Sequence, residues 1–596
     1  MTGIVGGTAA RPTIDAMLDS LYQEEWYETD RYSIEGVGVG IAHHGEKDPQ
    51  SDVIWRGDRV LGAIHGVVSN VDDLELTTGE LFRAVADAPD DVLPKLEGPF
   101  AIAVMDRETG TIRVATDKAG SRPCYYVSQK GFYFGSELTP LLEHIASPTV
   151  DRRAVSDLLL VGSVLGEKTL IEGIRNLPPA TLLTYDGGEV ETTRYWSPAF
   201  GENSHEDYVD GWIRRYQNAI DDLVGTVDTR TGLWLSGGID SRVTGAMLRR
   251  SGADFETLTY ENGLPGDNEV APRVADNLGS KHRQITGATG SADEFIESIE
   301  RCIDCNDAMQ SWAYVPALSF MYHDLADAVD VVMEGGTFLG EDVWSYYLEN
   351  DVPPAELLYH KRKQLPADEV DSLVPSVDDP RKSFREEVTQ LDARGNARQS
   401  CDAVRRLYSY LHMRSNVVQR SQVGTRAVSD GAMLNHVLDM PSEQRMQTIP
   451  WTNGKIPLGA PPIKLRVTRE LDAGLDEISY QRTGVAPARS YWIHAAAFIG
   501  KQLARRLTTD SAGPYITRYR ENERVQSFID GLVDDACRRP FLDADGIDTL
   551  RDRVRSGASA NLIPLAAITG LERWLQQHVD PLRQSRESRP ASVSVR

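Results

Sequence analysis

Short apolar runs separated by glycines and polar turns fill residues 1–200. The clearest runs have the length of β-strands, and the turns between them suit antiparallel hairpins. These runs cover residues 36–42, 59–68, 100–106, 111–117 and 131–136. A helical pattern at 80–88 lies among them. We therefore predict an α+β domain with antiparallel sheets, followed by a linker near the polar stretch 197–207.

The hydrophobic pattern changes after residue 208, where buried strands alternate with amphipathic helices. Strands are expected at 231–235, 255–260 and 330–334, with a helix after each of the first two. Such alternation predicts an α/β domain with a parallel, doubly wound sheet. Beyond residue 350 the pattern is mostly helical and charged. The predicted domain limits are 1–200, 208–510 and a helical extension at 511–596 with a frayed tail.

The net charge of the chain excludes some classes of binding partner. The chain has 596 residues, with 63 Lys and Arg against 89 Asp and Glu, which gives a net charge of −26. Such a protein repels nucleic acid and anionic membranes, so we expect neither as a partner. No apolar run approaches the roughly 18 residues of a membrane span, and no signal peptide is recognisable, so a cytoplasmic location is expected. The low Lys content beside many acids resembles proteins of salt-loving microbes.

The five cysteines are too few for a disulfide framework in a chain of this length. Cys302 and Cys305 form a single CxxC pair, and a zinc site would need two more ligands at similar spacing. We interpret the pair as two thiols on one helical stretch, in a reducing compartment.

The segment with recognisable chemistry is LWLSGGIDSRVTGAML, residues 233–248. A buried strand ends there, two glycines turn the chain and a helix begins. Glycines and a helix N-terminus suit an anion, and serine hydroxyls can donate to phosphate oxygens. The predicted phosphate-binding residues of this loop are Leu235, Ser236, Gly237, Gly238, Asp240 and Ser241.

Asp240 in this loop predicts a divalent cation. Phosphate would repel its carboxylate unless Mg²⁺ lay between them, so Asp240 is a predicted Mg²⁺ ligand. The loop lacks the lysine of a Walker A motif. Its sequence SGGIDS resembles instead the pyrophosphate loop of ATP pyrophosphatases, which split ATP into AMP and pyrophosphate. The alternative is a plain strand–turn–helix connection without a ligand.

The surroundings of this loop resemble the asparagine synthetase family. The family pattern VAxxLGxxH is matched by Val274, Ala275, Leu278, Gly279 and His282, and His282 receives no catalytic role. The family's second acidic loop, which helps to hold Mg²⁺–pyrophosphate, corresponds to Gly340, Glu341 and Asp342, with the two acids in swapped order. The resemblance implies that Gly340 contacts the nucleotide and that Glu341 and Asp342 are metal ligands. The alternative is an ordinary solvated acidic turn.

Two arginines occupy family positions further along the chain. Arg426 matches an arginine of the family segment that GTRAVSDGAMLNHVLDMP resembles. Arg482, in SYQRTGVAP, stands where the family has a lysine that stabilises charge during adenylation. The resemblance implies that Arg482 and Asp240 are catalytic. Arginine keeps the positive charge but is planar and larger, so the substitution bears on whether the family's reaction is intact.

Residues 1–195 resemble the class II glutaminase domain of the same family, in stretches such as 96–106 and 169–180. The resemblance implies an Ntn-hydrolase-like domain followed by an ATP pyrophosphatase domain of the adenine nucleotide alpha hydrolase-like type. The groups that glutaminase chemistry needs are replaced, however. Thr2 stands for the nucleophilic cysteine, His65 for the oxyanion-binding asparagine, and Gly79 for the acid that holds the glutamine amine.

The carboxylate-binding arginine of that glutaminase site is also missing. Its expected place is occupied by Ala42, His43 and His44. Because several substrate-binding groups are lost together, we interpret the domain as an inactive, structural relative of a glutaminase. The alternative is that removal of Met1 makes Thr2 an N-terminal nucleophile.

Taken together, the resemblances imply an asparagine synthetase-like, ATP-dependent carbon–nitrogen ligase that forms AMP and pyrophosphate through an acyl-adenylate. The expected cofactors are ATP and Mg²⁺. The expected substrates are a small carboxylate, such as aspartate, and ammonia rather than glutamine. Two alternatives stay open: amidation of a different metabolite or sugar acid by the same chemistry, and a nucleotide-binding relative without turnover.

Overall fold

The structure, a computed structural model, describes most of the chain in separate ranges. These are residues 2–34, 36–199, 207–260, 266–285, 291–315, 324–334, 344–350, 352–375, 379–383, 385–386, 417–471, 474–507, 514–558 and 561–587. The predicted acidic loop with Gly340, Glu341 and Asp342 lies outside the described residues, and so do residues 588–596 of the predicted frayed tail. The first part of that tail, residues 583–587, is not frayed, because it ends a helix and Arg583 donates to the Pro148 carbonyl at 3.0 Å.

The first 194 residues form two antiparallel sheets with helices on their outer faces. The strands are Gly3–Gly7 (β1), Glu28–Ile34 (β2), Val37–His43 (β3), Val53–Arg56 (β4), Val60–Gly66 (β5), Phe100–Asp106 (β6), Ile112–Thr116 (β7), Tyr125–Ser128 (β8), Phe132–Gly135 (β9), Arg175–Asn176 (β10), Thr181–Asp186 (β11) and Glu189–Arg194 (β12). The helices are Arg11–Asp19 (α1), Thr78–Asp87 (α2), Pro89–Val92 (α3) and Arg152–Val161 (α4).

The two sheets pack face to face. One has the order β10-β8-β9-β1-β3-β2 and the other β12-β11-β7-β6-β5-β4. Because side chains alternate along a strand, Ile4 and Ile41 of the first sheet meet Leu61 and Ala63 of the second in a shared core. Helix α2 covers the outer face of the second sheet, and α1 and α4 cover that of the first. The predicted α+β domain with antiparallel sheets is confirmed.

A five-stranded parallel sheet follows, in the order β15-β14-β13-β16-β17. Its strands are Thr231–Trp234 (β13), Phe255–Tyr260 (β14), Lys281–Ile285 (β15), Val331–Glu334 (β16) and Gly424–Ala427 (β17). Its helices include Tyr208–Val224 (α5), Asp240–Arg250 (α6), Asp267–Leu278 (α7), Ala292–Asn306 (α8) and Asp324–Ala328 (α9). The predicted parallel sheet is confirmed, and Cys302 and Cys305 both lie buried on α8, as expected.

The remaining described elements are helical, as the pattern beyond residue 350 predicts. They are Ser345–Glu349 (α10), Pro354–Arg362 (α11), Ala367–Leu373 (α12), Val417–Gln422 (α13), Gly431–Leu438 (α14), Pro462–Glu470 (α15), Tyr491–Leu507 (α16), Pro514–Glu521 (α17), Glu523–Ala536 (α18), Ala544–Arg555 (α19), Leu562–Trp574 (α20) and Asp580–Glu587 (α21). Among the described helices, none combines the length and the apolar character that crossing a bilayer requires.

Buried polar contacts join the antiparallel sheets to the edge of the parallel sheet. The Arg426 guanidinium on β17 is fully buried and holds the Asp48 carboxylate with both terminal nitrogens, at 2.6 and 2.9 Å. Its Nε donates to the Thr226 hydroxyl at 2.8 Å. Arg122 donates to the Thr425 carbonyl, also on β17, at 3.0 Å. Such bidentate, buried pairs fix the relative position of the parts they join.

Candidate functional site

The predicted phosphate loop leaves the carboxyl end of β13, the central strand of the parallel sheet. Ligand sites of open α/β sheets lie at this edge. Burial alternates along the loop: Leu235, Gly237 and Ile239 are buried, whereas Ser236, Gly238 and Asp240 are half-exposed. Helix α6 begins at Asp240. The half-exposed groups therefore stand beside a helix N-terminus, as an anion site requires.

The two serines hold the turn together. The Ser236 N–H donates to the Ser241 hydroxyl at 3.1 Å, and the Gly238 N–H donates to the Ser236 hydroxyl at 3.1 Å. The two hydroxyl oxygens are 3.2 Å apart, so one hydroxyl proton lies between them. The loop is thus preorganised by its own hydrogen bonds.

The two glycines of the loop have different surroundings. The Gly237 N–H donates to the buried carboxylate of Asp267 at 2.7 Å, and its carbonyl accepts from the Gln481 N–H at 3.0 Å. A Cβ on Gly237 would lie 2.7 Å from the Gln481 Cβ. A Cβ on Gly238 would meet only the Ser236 hydroxyl oxygen, at 2.9 Å. Position 237 therefore requires glycine because a neighbouring segment packs on it. Gly238 is the glycine on the half-exposed side of the loop.

A buried lysine faces the aspartate of the loop. Lys464, in the first turn of α15, is 2% exposed, and its Nζ lies 2.5 Å from the Asp240 Oδ2. The Asp240 side chain is 34% exposed. The sequence analysis missed Lys464. The available signal was a lysine between two apolar residues, Ile463 and Leu465, in a chain with few lysines.

Arg242 connects the loop to the segment that ends in Gln481. Its buried guanidinium donates to five backbone carbonyls, those of Gly237, Gly238, Leu475, Ile478 and Ser479, at 2.9 to 3.1 Å. Burial lowers the pKa of Arg242 to about 10. This arginine, which the sequence analysis also missed, holds residues 475–481 against the loop.

Arg482 follows directly after Gln481, so the structure brings its segment to the loop. Its guanidinium carbon lies 5.3 Å from the centre of the Phe498 ring on α16, a cation–π contact. The side chain is half-buried. The structure therefore places two basic residues near the loop: Arg482, which follows Gln481, and Lys464, which contacts Asp240.

Only one of the predicted metal ligands, Asp240, lies within the described residues. β16 ends at Glu334 beside β13, and Glu341, Asp342 and Gly340 lie outside the described residues. Within the described ranges, no group of three or more His, Cys, Asp or Glu side chains is arranged to hold a metal. Asp240 provides an oxygen ligand of the kind that Mg²⁺ prefers, on the half-exposed side of the loop.

The residues at the glutaminase-like positions form a closed, polar cluster. Thr2 is 5% exposed and the His65 ring is fully buried. His65 Nδ1 lies 2.7 Å from the Asp52 Oδ1, which also accepts the Gly66 N–H at 2.9 Å. Ser51 donates to the other oxygen of Asp52 at 2.9 Å. The Asp52 carboxylate is therefore fully hydrogen-bonded, whereas His65 Nε2 and both ring nitrogens of His44 are buried without a hydrogen-bond partner among the described residues.

Electrostatics keep this cluster in one protonation state near neutral pH. Burial opposes ionisation of Asp52, but the hydrogen bonds from the His65 ring and the Gly66 N–H, together with the Arg122 guanidinium, outweigh it, so the pKa of Asp52 lies below its ordinary value. Burial lowers the pKa of His65 despite the Asp52 carboxylate, and burial lowers that of His44 further. Both histidines are consequently neutral beside an ionised aspartate.

The other replaced positions have structural contacts. The His43 imidazole lies 3.6 Å from the Asp30 carboxylate. A Cβ on Gly79 would lie 2.7 Å from the Trp55 ring, so no acidic side chain fits there without moving that ring. His43 and Gly79 thus contact other parts of the protein at the positions of the two glutamine-binding charges.

Two protein-family models match the chain. Residues 77–196 match a glutamine amidotransferase domain, and residues 217–439 match asparagine synthase. Together the two matches cover more than half of the 596 residues. The first match covers strands β6–β12 of the antiparallel sheets, and the second covers the five described strands of the parallel sheet, including the loop at 236–241.

Curated relatives agree with these models. Asparagine synthetase (glutamine-hydrolyzing) 3 of Bacillus subtilis (strain 168) is 26% identical over 256 residues, 39% of this chain and 41% of the relative. Asparagine synthetase (glutamine-hydrolyzing) 2 of the same organism is 26% identical over 219 residues, 34% and 29% of the two chains. Carboxyethyl-arginine beta-lactam-synthase of Streptomyces clavuligerus is 27% identical over 199 residues, 32% and 36%. The chain spans less than half the length of these relatives.

Proposed function

The chain belongs to the asparagine synthetase family, and on that premise we propose that it is an ATP-dependent carbon–nitrogen ligase. A carboxylate substrate attacks the α-phosphorus of ATP, so that an acyl–phosphate bond forms and the α–β phosphoanhydride bond breaks. Pyrophosphate leaves. An amine, ammonia in the simplest case, then attacks the acyl carbon, an amide bond forms, and AMP leaves as the acyl–phosphate bond breaks.

The observation that carries this proposal is the Asp240–Lys464 pair beside the serine-stabilised loop. A polyphosphate needs positive charge and hydrogen-bond donors, which Lys464, the α6 N-terminus and the two serine hydroxyls supply. In this proposal, phosphate oxygens lie against Ser236, Gly238 and Ser241, with Leu235 and Gly237 as the buried support of the loop. Lys464 then shares its charge between Asp240 and the phosphate.

Mg²⁺ fits the donor chemistry of Asp240. When bound, it would neutralise part of the polyphosphate charge at the reacting phosphorus. Asp240 is the proposed ligand within the described residues, and Glu341 and Asp342 remain predicted ligands, with Gly340 as a predicted nucleotide contact. The half-exposed carboxylate of Asp240, at the start of α6, supports this assignment.

Two residues are candidates for the cation that stabilises charge during adenylation. Arg482 remains the prediction from the family position. Lys464 is supported by its burial and its 2.5 Å contact with Asp240. A fixed positive charge at the site of charge development lowers the barrier most when water is excluded, and the buried position of Lys464 meets this condition.

We also propose that ammonia, and not glutamine, is the nitrogen source. Thr2, His65 and Gly79 replace the glutaminase groups, Asp52 holds the His65 ring at 2.7 Å, and the Trp55 ring lies where a side chain at position 79 would extend. The domain limits 1–200, 208–510 and 511–596 are part of this proposal, with the first domain structural.

A second candidate keeps the chemistry and changes the acceptor carboxylate. The similarity to a relative named for β-lactam synthesis supports it, because its name describes a substrate other than aspartate. In this version the same loop activates a different metabolite or sugar acid, and the attacking amine belongs to the substrate or to a second molecule.

Pyrophosphate release tests the proposal. The purified full chain would be incubated with ATP, Mg²⁺, an ammonium salt and one member of a panel of carboxylates. Release with aspartate supports the first version, and release only with another acid supports the second. ATP binding without release from any acid identifies a nucleotide-binding relative without turnover and overturns the ligase.

A further inference from the structure

Acidic residues occur along most of this chain, but three segments of more than 25 residues contain none, and one of them, 403–429, lies partly outside the described residues. The other two, residues 444–469 and 478–509, have no Asp or Glu, although the chain holds 89 of them. Both segments contain lysines and arginines. In a protein with a net charge of −26, this distribution concentrates positive potential where the two segments meet.

The two segments adjoin in the fold. The Tyr491 hydroxyl at the start of α16 donates to the Leu458 carbonyl at 3.3 Å. A Cβ on Gly459 would lie 3.2 Å from the backbone nitrogen of Ala495. The loop that precedes α15 therefore packs on the first turns of α16, and their outer surfaces form one area.

Large apolar side chains are exposed on both of these adjoining segments. Trp451 is 84% exposed, Trp492 73% and Leu503 58%. Trp492, Ile499 and Leu503 are seven and four residues apart, which places them on one side of α16. We call this area the α16 face and define it by Trp451, Ile456, Trp492, Ile493, Ile499 and Leu503, the large hydrophobic residues that are exposed within the described chain.

Exposed cations border the α16 face. Lys455 lies in the loop before α15, Arg489 precedes α16, and Lys501 is on α16 itself. Several large apolar side chains exposed on adjoining elements and flanked by charged side chains are typical of an interaction site. From this charge pattern and these exposed side chains, we propose that the α16 face binds an acidic amphipathic helix of a partner protein.

The charge pattern favours a protein segment over a membrane. A peptide helix is small enough to interact with the basic rim alone, because charges are screened beyond about 8 Å at physiological salt. An anionic bilayer would face a much larger part of a chain with net charge −26. Apolar side chains spaced along one helix face suit the helix-in-groove mode of recognition.

The α16 face is connected to the loop at 236–241 by two hydrogen bonds. Lys501 Nζ donates to the Gln481 carbonyl at 2.9 Å, and the Gln481 N–H donates to the Gly237 carbonyl at 3.0 Å. A bound partner would therefore lie beside the candidate active site. The docking itself does not depend on the ligase reaction.

The test uses the full chain and a fluorescein-labelled synthetic helix with Leu at positions i, i+3, i+4 and i+7 and Glu elsewhere. We expect saturable binding by fluorescence anisotropy, and no binding of the same peptide with Lys in place of Glu. The double variant Trp492→Ser/Ile499→Ser should weaken binding at least tenfold, and Lys455→Glu/Lys501→Glu should do the same. The matched double variant Lys281→Glu/Arg538→Glu, at exposed cations elsewhere, should bind normally.

Three results would overturn the proposal: no binding of the acidic helix, equal binding by the α16-face variants, or binding only to vesicles of phosphatidylglycerol and phosphatidylcholine, which would identify a membrane-binding surface. Thermal melting of each variant shows whether the fold is intact. Because pyrophosphate release is measured separately, failure of docking and failure of the proposed ligase are distinguishable.

Discussion

The loop at 236–241 and the cluster around His65 lie at the two positions where the resemblance to the family implies catalysis, yet they differ in exposure to solvent. In the loop, Ser236, Gly238 and Asp240 are half-exposed at a helix N-terminus. In the cluster, Thr2 and His65 are buried, and Asp52 is satisfied by its neighbours. Polar residues at a family position therefore do not make a site unless a substrate can reach them.

The two regions also use charge differently. Lys464 and Asp240 form a pair with one buried and one half-exposed partner, so an incoming anion can compete for the lysine. Asp52 and His65 form a pair with both partners buried, and breaking it would leave an uncompensated charge. The first arrangement can respond to a ligand, whereas the second stabilises one conformation.

The strongest test of the open site is Asp240→Asn. We expect pyrophosphate release to fall about 10³-fold, because a neutral amide is a weaker Mg²⁺ ligand and no longer pairs with Lys464. Steady-state kinetics measure the change. Asp254→Asn, at an exposed aspartate beyond α6, is the matched control and should keep the normal rate. A normal rate for Asp240→Asn would remove this residue from the mechanism.

Lys464→Met tests whether the buried cation acts in the reaction. We expect a loss of about 10²-fold in the rate of adenylation, with a smaller effect on ATP affinity, because the charge matters most in the transition state. Arg482→Ala provides the comparison between the two candidate cations. Rapid-quench measurement of adenylate formation separates rate from affinity. A larger loss in Arg482→Ala than in Lys464→Met would favour the family position.

In the glutaminase-like domain, Gly79→Ala tests whether the Trp55 ring fills the space of the acidic side chain that the glutaminase family has at this position. We expect unfolding free energy to fall by about 1–3 kcal/mol, because the new methyl group collides with the ring. Gly531→Ala, within α18 and without close neighbours, should instead stabilise by about 0.5–1 kcal/mol. Urea denaturation gives both values. A neutral Gly79→Ala would mean that the ring moves easily and that the position is open.

The buried histidine cluster predicts a pH dependence of stability. The pKa of His65 is lowered in the fold, so the unfolded chain binds the proton first as the pH falls. The contribution of neutral His65 is complete above its unfolded pKa of about 6.5 and is lost below it, by about 1.4 kcal/mol for each unit of pKa difference. Denaturation midpoints between pH 5 and 8 should show this slope. His65→Asn should reduce it, and an unchanged slope would assign the effect to other groups, such as His44.

The smallest expected signal concerns glutamine. We expect no glutamate release from glutamine by the purified chain, and amide formation only with added ammonium salt. The Thr2 hydroxyl cannot compensate for the loss of four glutaminase groups, because two of the lost groups bind the charged ends of glutamine in the family. An enzymatic glutamate assay with wild type and Thr2→Ala decides the question. Release that disappears in Thr2→Ala would identify an N-terminal threonine nucleophile.

Local sequence predicted much of the fold and the loop itself. The apolar runs and the turn glycines gave the strands β3, β5, β6, β7 and β9, and the buried run before Ser236 gave β13. β17 was missed because residues 424–427 carry no apolar run; the strand is defined by pairing with β16 and by Arg122. Its stability comes from neighbours that are distant in sequence.

The remaining site residues depend on tertiary contacts that no local pattern shows. Lys464 reaches Asp240 from a helix 224 residues later in the chain. Asp52 lies opposite His65 only because β4 and β5 pair with Val53 facing Ile64. Gln481 packs on Gly237, and this contact explains why position 237 has no side chain. From the sequence, that glycine is attributed to phosphate binding.

Arg122 and Asp48 have a further consequence for the edge of the parallel sheet. β17 is an outer strand, and an uncovered outer strand is a template for pairing with another chain. Arg122 binds the Thr425 carbonyl, and a Cβ on Gly424 would lie 2.2 Å from an Asp48 oxygen, so the antiparallel module covers this edge closely. Whether or not this domain has glutaminase activity, we expect its contacts to prevent β17 from pairing with a strand of another chain. Deletion of the domain should convert a dispersed protein into one that aggregates through β17.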